Sequence, residues 1–245
     1  MILTEHLIIP KWPAPPNVRA FQTTREGGVS ASPYDTLNLG DHVEDNPLSV
    51  ERNRQLLGKL LPGEPVWLEQ VHGTTVANAD HASCKPRADA CIARKRGAVC
   101  VVMTADCLPV LLCDMAGTVV GAVHAGWKGL AAGVIEATVQ EMGVAPQQLM
   151  AWMGPAISQK VFEVGGEVRD AFVATQPQAS SAFIPGQAQG QWFADIYALA
   201  RLRMTALGIT QISGGEYCTY RQWAKFFSFR RDGKTGRMGT FIWME

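Results

Sequence analysis

The stretch "MTADCLPVLLCDMAGTVVGAVHAGWKGL", Met103–Leu130, decides the fold. Two apolar, β-prone runs, Pro109–Cys113 and Thr118–Val123, flank "DMAG", whose Gly117 suits a tight turn. Apolar runs on either side of a glycine-containing turn predict a hairpin of two buried strands. The small and apolar spacing of Lys128–Met142 then predicts a helix that follows the hairpin directly.

Outward from this hairpin, strand-like and helix-like segments follow one another in irregular order. Strands are predicted over Leu7–Ile9, Phe21–Thr24, Val66–Leu68, Ala98–Thr104 and Leu149–Met153. Helices are predicted over Leu48–Leu61 after the cap Asn46, over Gly165–Ala174, and over Asp195–Leu207 with Asp195 as the cap. The tail "FFSFRRDGKTGRMGTFIWM" is predicted as strand, turn and strand. This order predicts a mixed α/β (α+β) fold rather than a strictly alternating parallel one.

Composition and charge narrow the class of protein. The 245 residues are 47% hydrophobic and 18% charged, which suits one large globular domain or two small ones. The 22 basic and 22 acidic side chains cancel, so the basic footprint of a nucleic-acid-binding protein is absent. No apolar run has the length of a membrane span, and the N-terminus lacks the basic region of a secretory signal. We therefore expect a cytoplasmic protein with neither a membrane nor a nucleic-acid partner.

The cysteine pattern agrees with this location. Six cysteines without a secretory signal favour reduced thiols over a disulfide framework. They are Cys84, Cys91, Cys100, Cys107, Cys113 and Cys218. No CxxC pair is present, which argues against a structural zinc knuckle.

Three residues stand where apolar strands meet glycine- or proline-containing bends: His72, Cys107 and His124. They are 35 and 17 positions apart, so only tertiary folding brings them together. Two imidazoles and one thiolate form an open zinc site, with the fourth position left for water or substrate. Zinc lowers the pKa of bound water to about 7. Asp106 is a candidate for orienting a ligand or for acting as a base beside it.

Each of these residues also has a purely structural interpretation. Cysteine is among the commonest core residues, and Cys107 considered alone fits that role. A single histidine at a strand end is more often hydrogen-bonded than metal-bound, and we assign His6, His42 and His81 to that class. Spacing alone therefore leaves both interpretations open.

Longer motifs carry a family resemblance. They are "WLEQVHG", "MTADCLPVLL", "HAGWKGL", "GPAI", "FEVGGEV", "CTY" and "FFSFRRDGKTGRM". Together they resemble the YfiH family, whose members are also described as laccase-domain, multicopper polyphenol oxidase or peptidoglycan-editing-factor proteins. The resemblance runs from about Trp12 to the C-terminus. It implies a single domain over residues 1–245 with a layered α/β/β/α arrangement, in which His72, Cys107 and His124 form a zinc site.

The same resemblance implies a purine nucleoside enzyme. Its reactions are the phosphorolysis of adenosine, inosine and S-methyl-5′-thioadenosine, and the deamination of adenosine. A zinc centre suits deamination chemically, although the HxE…PCxxC signature of other zinc deaminases is absent from this chain. The expected partners are small molecules, namely a nucleoside and phosphate.

Phosphorolysis also needs a phosphate site. Arg25 precedes Gly27-Gly28, whose turn can present backbone amides to an anion, and is the first candidate for a phosphate ligand. Asn38, in "TLNLG", is a candidate ribose contact, and Gln70 is a candidate substrate contact with a solvated turn as its alternative. Three arginines of the tail are alternative phosphate ligands: Arg230, Arg231 and Arg237. For Arg231 we favour the structural interpretation, in which it lies in a solvated basic turn.

Three other functions stay open. One is amide hydrolysis, which would remove L-serine from the nucleotide-sugar amino acid UDP-MurNAc-L-Ser. A zinc ion with an open coordination position or an activated Cys107–His124 pair could perform this reaction. The hypothesis of a copper-dependent polyphenol oxidase has weaker support. The chain has five histidines and no His-x-His pair, which is too few imidazoles for a trinuclear copper centre, although a His₂Cys set can bind one Cu²⁺. The third function is non-catalytic ligand binding, for which we would expect either a closed metal site with four protein ligands or no metal at all.

Overall fold

A computed structural model describes residues 4–81 and 85–245. The strands, in chain order, are β1 Leu7–Ile8, β2 Val18–Thr23, β3 Pro65–Val66, β4 Val76–Asn78, β5 Ala90–Ala93, β6 Val99–Thr104, β7 Leu108–Asp114, β8 Val120–Ala125, β9 Leu149–Met153, β10 Glu163–Gly165, β11 Phe183–Pro185, β12 Gln191–Ala194, β13 Gln211–Gly214 and β14 Met238–Met244. The helices are α1 Pro47–Gly58, α2 Trp127–Ala132, α3 Val134–Met142, α4 Gly166–Thr175, α5 Ile196–Leu207 and α6 Phe229–Asp232.

The strands form two large sheets and one small one. The first large sheet has the order β1-β2-β14-β6-β3, and the second has the order β13-β9-β7-β8-β5-β4. A small sheet, β10-β12-β11, accompanies α4. Both large sheets mix parallel and antiparallel pairs, since β3 runs parallel to β6 and β13 runs parallel to β9. The mixed α/β fold class is therefore confirmed.

The two large sheets pack face to face with helices outside them. Successive residues of β7 alternate between two cores, because side chains of a strand point to opposite faces: Leu111 packs between the sheets and Leu112 packs on the helix side. Helices α2 to α5 cover that outer face, and Leu57 of α1 packs with Phe21 and Phe241 on the outer face of the other sheet. The layers thus follow the order α/β/β/α.

The predicted hairpin is confirmed. Strands β7 and β8 pair antiparallel, with Leu108 opposite Ala125 and Pro109 opposite His124. Gly117 in the turn has a φ of 66°, a left-handed conformation that glycine adopts without steric cost. Because the strands are antiparallel, the residue before β7 and the last residues of β8 lie at one end of the sheet. That end carries the site described below.

Two predicted helix starts are confirmed through their caps. The Asn46 side chain accepts a hydrogen bond from the backbone N–H of Leu48 at the start of α1. The Asp195 side chain accepts one from the N–H of Ala198 at the start of α5. Such caps satisfy N–H groups that have no partner within the helix.

The single helix predicted over Lys128–Met142 is wrong in one respect. The chain forms α2 and then α3, with Gly133 between them at a φ of 97°. That conformation ends the first helix, because a left-handed residue cannot continue a right-handed helix. The apolar spacing continues through the break, so the periodic pattern alone did not reveal it.

The tail prediction is half confirmed. Met238–Met244 is a strand, β14, which pairs with both β2 and β6 at the centre of its sheet. The first predicted strand is wrong: Phe226 and Phe227 are buried outside any strand, and α6 follows them. The Ser228 side chain caps α6 by accepting from the N–H of Arg231, which favours a helical turn where the apolar pattern alone indicated a strand.

Two further findings bear on the sequence-based expectations. No helix of the described part of the chain combines the length and the apolar character needed to cross a membrane. Free thiols are found at Cys91, Cys100, Cys107, Cys113 and Cys218. Cys84 lies outside the described residues.

Candidate metal centre

The structure brings together the side chains of His72, Cys107 and His124. Their candidate ligand atoms all lie within 4.8 Å of one another. The Sγ of Cys107 is 3.8 Å from Nε2 of His72, and the two imidazole rings have centroids 4.8 Å apart. Within residues 4–81 and 85–245, this is the only group of three or more histidine, cysteine or acidic side chains placed to hold a metal ion.

Three separate segments supply these residues. Cys107 directly precedes β7, His124 is the penultimate residue of β8, and His72 lies in the loop after β3. Three described residues other than glycine have a positive φ, and two of them are His72 at 61° and Asp106 at 92°. Residues other than glycine adopt this conformation at an energetic cost, and such residues concentrate at functional sites.

A buried carboxylate, Asp89, orients two of the three ligands. Its Oδ1 lies 2.8 Å from Nδ1 of His124 and accepts a hydrogen bond of 2.9 Å from the backbone N–H of His72. Its Oδ2 accepts from the N–H of Val71 at 3.2 Å and from that of Gly73 at 2.6 Å. A carboxylate at Nδ1 keeps the proton on that nitrogen and leaves Nε2 of His124 for a metal.

Asp89 was missed by the sequence analysis. It stands in "RADACIA" directly before β5, without a motif of its own. Its role depends on β5 pairing with β8, which places Ala90 opposite Val123 and so brings Asp89 beside His124. A polar residue at the start of an otherwise apolar strand was the one available signal.

The charges in this group favour a thiolate at neutral pH. Burial alone raises the pKa of Cys107, but the neighbouring His124 and His72 lower it to about 6. Burial lowers the pKa of His124, but the Cys107 thiolate and the Asp89 carboxylate raise it to about 9. The pKa of Asp89 is lowered, because hydrogen bonds from His124 and from backbone N–H groups outweigh its burial. A thiolate is the form of cysteine that binds metals.

The donor set fits zinc. Tetrahedral zinc with Zn–S and Zn–N bonds of ordinary length places a sulfur and a nitrogen ligand about 3.6 Å apart, close to the 3.8 Å between Cys107 and His72. Space for an ion is preserved by a glycine: a Cβ on Gly126 would lie 2.8 Å from Cδ2 of His72 and 3.0 Å from Sγ of Cys107. Three protein ligands leave one coordination position open.

Gly126→Ala is therefore expected to weaken metal binding about tenfold, because the added methyl group displaces the ligands from their positions. The measurement is metal affinity by competition with a chromogenic chelator. Gly58→Ala is the matched control, because a Cβ there meets no heavy atom within 4 Å. Equal metal affinity in Gly126→Ala and Gly58→Ala would contradict the proposed placement of the ion.

The three ligands open into a cavity of about 300 Å³. Its other lining residues are His42, Gln70, Met103, Thr104, Ala105, Phe229 and Arg237. The Thr104 hydroxyl is buried and has no hydrogen-bond partner among the described residues, so it is available to a ligand. Cavities of about 410 and 550 Å³ lie elsewhere, but the metal-ligand group is at this one.

Asp106 connects the centre to the tail of the chain. Its Oδ1 accepts a hydrogen bond of 2.6 Å from the hydroxyl of Thr219, and its Oδ2 accepts one of 2.7 Å from the backbone N–H of Arg230. Both oxygens are thus engaged within the protein. This arrangement supports a positioning role for Asp106 beside Cys107 rather than that of a base.

The expected phosphate and ribose contacts lie away from the metal ligands. The Arg25 guanidinium donates to the carbonyl of Asp35 and pairs with the Asp35 carboxylate at 3.2 Å, in a different surface pocket. Asn38 is fully buried, and its amide bonds to Gly40, Asp45 and the backbone N–H of Arg237. Neither placement supports substrate contact at the metal centre.

Gln70 does line the cavity, but its amide already has partners. The Nε2 of Gln70 donates to the carbonyl of Met103, and its Oε1 accepts from the N–H of the same residue. This pair of hydrogen bonds fixes the loop before His72 against the end of β6. We therefore regard Gln70 as a residue that positions the cavity wall.

Two other cavity residues carry charge or titrate. Arg237, one of the three alternative arginines, donates from Nη1 to the carbonyls of Thr235 and Gly236. Its Nε and Nη2 have no hydrogen-bond partner in the described part of the chain, and burial lowers the pKa of the guanidinium. His42, which we had assigned a structural role, also lines the cavity. Partial burial and the neighbouring Arg237 lower its pKa against the opposing effect of Asp41, which favours the neutral imidazole.

Comparison with known proteins places this architecture in a family. A family model described as "Multi-copper polyphenol oxidoreductase laccase" matches residues 19–245. The purine nucleoside phosphorylase YfiH of Escherichia coli is 54% identical over 241 residues, which cover 97% of this chain and 98% of that protein. The chain belongs to the YfiH family. Another YfiH-family relative, a purine nucleoside phosphorylase of Pseudomonas aeruginosa, is 53% identical over 238 residues, or 97% of this chain and 98% of the relative.

Solved structures of YfiH-family proteins agree with the fold. A Neisseria meningitidis protein matched by the DUF152 family model superposes with a TM-score of 0.95 at 48% identity, covering 98% of this chain and 99% of that one. YlmD from Geobacillus stearothermophilus superposes with a TM-score of 0.87 at 31% identity, covering 94% and 93% of the two chains. The layered arrangement expected from the resemblance is thus confirmed.

Proposed function

We propose that this YfiH-family protein is a zinc-dependent purine nucleoside phosphorylase that also deaminates adenosine. One observation carries the proposal: a His₂Cys group with an oriented histidine opens into a cavity that is also lined by a half-buried arginine, Arg237. Relatives more than 50% identical over nearly the whole chain are named purine nucleoside phosphorylases, which supports this choice of substrate. The arginine side chain is suited to bind phosphate for phosphorolysis, and the metal centre is suited to activate water for deamination.

The metal would be held by His72, Cys107 and His124. When bound, zinc supplies a Lewis acid that lowers the pKa of a coordinated water to about 7. Asp89 holds a proton on Nδ1 of His124, so that Nε2 is the nitrogen that would bind the metal, and it raises the basicity of that ligand. Nitrogen and sulfur donors suit zinc, and a single three-ligand group does not supply the several imidazoles of a multicopper centre.

In phosphorolysis a phosphate oxygen forms a bond to C1′ of the sugar while the bond from C1′ to N9 of the base breaks. The base leaves with the electron pair and takes up a proton, and the sugar 1-phosphate is released. Arg237 is suited to hold the phosphate, because guanidinium nitrogens pair with phosphate oxygens in a charge-assisted fork and two of its nitrogens are available.

In deamination a water adds to C6 of adenosine and the amino group leaves as ammonia. A neutral imidazole can accept the proton of the attacking water and pass it to the leaving nitrogen. His42 is suited to this task, because it lines the cavity and its pKa is lowered. Phosphate takes no part in this reaction, so the two activities separate experimentally.

The test uses the purified full chain with its metal content measured. We expect about one zinc per chain. With inosine, adenosine or S-methyl-5′-thioadenosine, free base and sugar 1-phosphate should appear only when phosphate is present, and adenosine should release ammonia with or without phosphate. Base release that does not depend on phosphate contradicts phosphorolysis. Hydrolysis of UDP-MurNAc-L-Ser without nucleoside turnover identifies an amidase, and copper-dependent oxidation of a catechol identifies an oxidase.

Arg237→Met is expected to raise the KM for phosphate about 10- to 150-fold, because a hydrogen bond to a charged group contributes about 1.5–3 kcal/mol. Methionine keeps the Cβ and Cγ methylene groups that lie against Gly40 and removes the guanidinium. Ammonia release from adenosine should change less than twofold. The measurement is initial rate against phosphate concentration, with the exposed Arg221→Met as the charge-matched control. A raised phosphate KM in Arg25→Met, with Arg237→Met unaffected, would assign the phosphate site to Arg25 instead.

A further inference from the structure

The cavity beside the metal ligands has an exposed aromatic side chain, Phe229. This ring is 59% exposed although it lines the cavity. Nine large hydrophobic side chains of the described residues are exposed, and only Phe229 among them lines this cavity. An exposed aromatic group at a cavity marks a surface for a ligand rather than for the core.

The backbone that carries Phe229 is held firmly. The N–H of the next residue, Arg230, donates to the Asp106 carboxylate, and Nη1 of Arg230 donates to the carbonyl of Glu163 at 2.7 Å. The Arg231 guanidinium donates to three carbonyls, those of Thr219, Tyr220 and Phe226. These contacts anchor α6 to several other segments of the chain, so the ring is presented without a loop having to order when a ligand binds.

The surroundings of Phe229 suit a planar ligand with an anionic neighbour. The guanidinium carbon of Arg237 lies 5.9 Å from the centroid of the Phe229 ring. The side chains of Met103 and Ala105 add apolar surface to the cavity wall. A heteroaromatic base and a phosphate would thus find an aromatic ring and a cation 5.9 Å apart.

We propose that Phe229 is a specificity-determining residue whose ring stacks on the purine base of the substrate. This inference rests on the proposed function and assigns the base-recognition surface within it. Stacking needs only a π face, so it accepts hypoxanthine and adenine alike, the adenine of methylthioadenosine included, and favours the two-ring purines over the smaller pyrimidines. A phenyl ring has no group that can transfer a proton or attack the sugar, so it would act through binding.

The experiment compares Phe229→Ala, Phe229→Leu and Phe229→Trp in the zinc-loaded full chain. We expect Phe229→Ala and Phe229→Leu to raise the KM for inosine about tenfold, since loss of one base–aromatic contact has effects of this size. The kcat, the KM for phosphate and the zinc content should stay within about twofold. Phe229→Trp should restore the KM for inosine, and the preference for inosine over uridine should fall in the two non-aromatic variants. Trp223→Ala is the control, because Trp223 is an aromatic residue of similar exposure, 66%, in a different pocket.

Calorimetric binding of inosine to each variant separates the two hypotheses. Phosphate-dependent turnover with equal inosine affinity in wild type and Phe229→Ala overturns the stacking role and leaves the proposed function intact. Absence of turnover with tenfold weaker inosine binding in Phe229→Ala overturns the proposed function and supports the stacking role. Absence of inosine binding in the wild type overturns both.

Discussion

Cys107→Ala is expected to lower kcat/KM for inosine about a thousandfold or more and to leave the purified chain without stoichiometric metal. The substitution removes the only sulfur ligand and its negative charge, and a Lewis acid contributes several kcal/mol of transition-state stabilisation. Each 1.4 kcal/mol corresponds to about a tenfold change in rate. The measurements are initial rates and metal analysis of protein purified without chelators.

The matched control for this variant is Cys113→Ala. Cys113 lies in β7, the strand that Cys107 precedes, and is fully buried in the core between the sheets. Burial raises the pKa of Cys113 to about 12, so that side chain is a neutral thiol with a packing role. Cys113→Ala should cost about 1 kcal/mol or more in stability while keeping the metal. Full activity of Cys107→Ala, or equal loss of metal in both variants, would remove the metal mechanism.

Asp89→Asn is expected to weaken zinc affinity about 10- to 100-fold. The neutral amide lacks the negative charge with which Asp89 orients the imidazole of the metal ligand His124. Asp89→Ala should also lower the free energy of unfolding by several kcal/mol. It removes the acceptor for the N–H groups of Val71, His72 and Gly73, and each buried group left unpaired costs about 1–3 kcal/mol. Zinc competition assays and urea denaturation provide the two measurements.

The two Asp89 substitutions act on different properties, which makes the role of Asp89 testable. Asparagine keeps an oxygen acceptor for the backbone, so Asp89→Asn should retain more stability than Asp89→Ala while losing metal affinity. Asp114→Asn is a suitable comparison, since Asp114 likewise accepts hydrogen bonds from backbone N–H groups but in the turn between β7 and β8. Unchanged zinc affinity in Asp89→Asn would show that the carboxylate has only a structural role.

What the sequence predicted well are features with a local pattern. The β7–β8 hairpin has two apolar runs around a glycine turn, and the caps Asn46 and Asp195 stand directly before the helices that they start. The alignment of Cys107 with His124 follows from antiparallel pairing of β7 and β8. The position of His72 next to the other two ligands could not be predicted in this way. It depends on Asp89, which binds both the backbone N–H of His72 and the imidazole of His124, and no pattern near His72 reveals that contact.

The substrate contacts were harder to predict for a physical reason. Arg25 and Arg237 both stand within two residues of a glycine, and only the packing of the tail against the rest of the chain decides which arginine reaches the cavity. Asn38 has the chemistry of a ribose contact, but the fold uses its amide to connect Gly40, Asp45 and Arg237. Polar side chains serve loops and ligands with the same hydrogen bonds, so their type does not distinguish the two uses.

The position of β14 has a consequence for biosynthesis. Residues 238–244 lie between β2 and β6 in the middle of their sheet, yet they leave the ribosome after all the other described strands. Until then a nascent chain exposes two unpaired strand edges, which are sites for aggregation. Phe229 and Arg237, which line the cavity, are synthesised directly before β14 and leave the ribosome together with it. Translation stalled before residue 238 thus leaves this sheet split into two parts and leaves Phe229 and Arg237 without the strand that fixes their position.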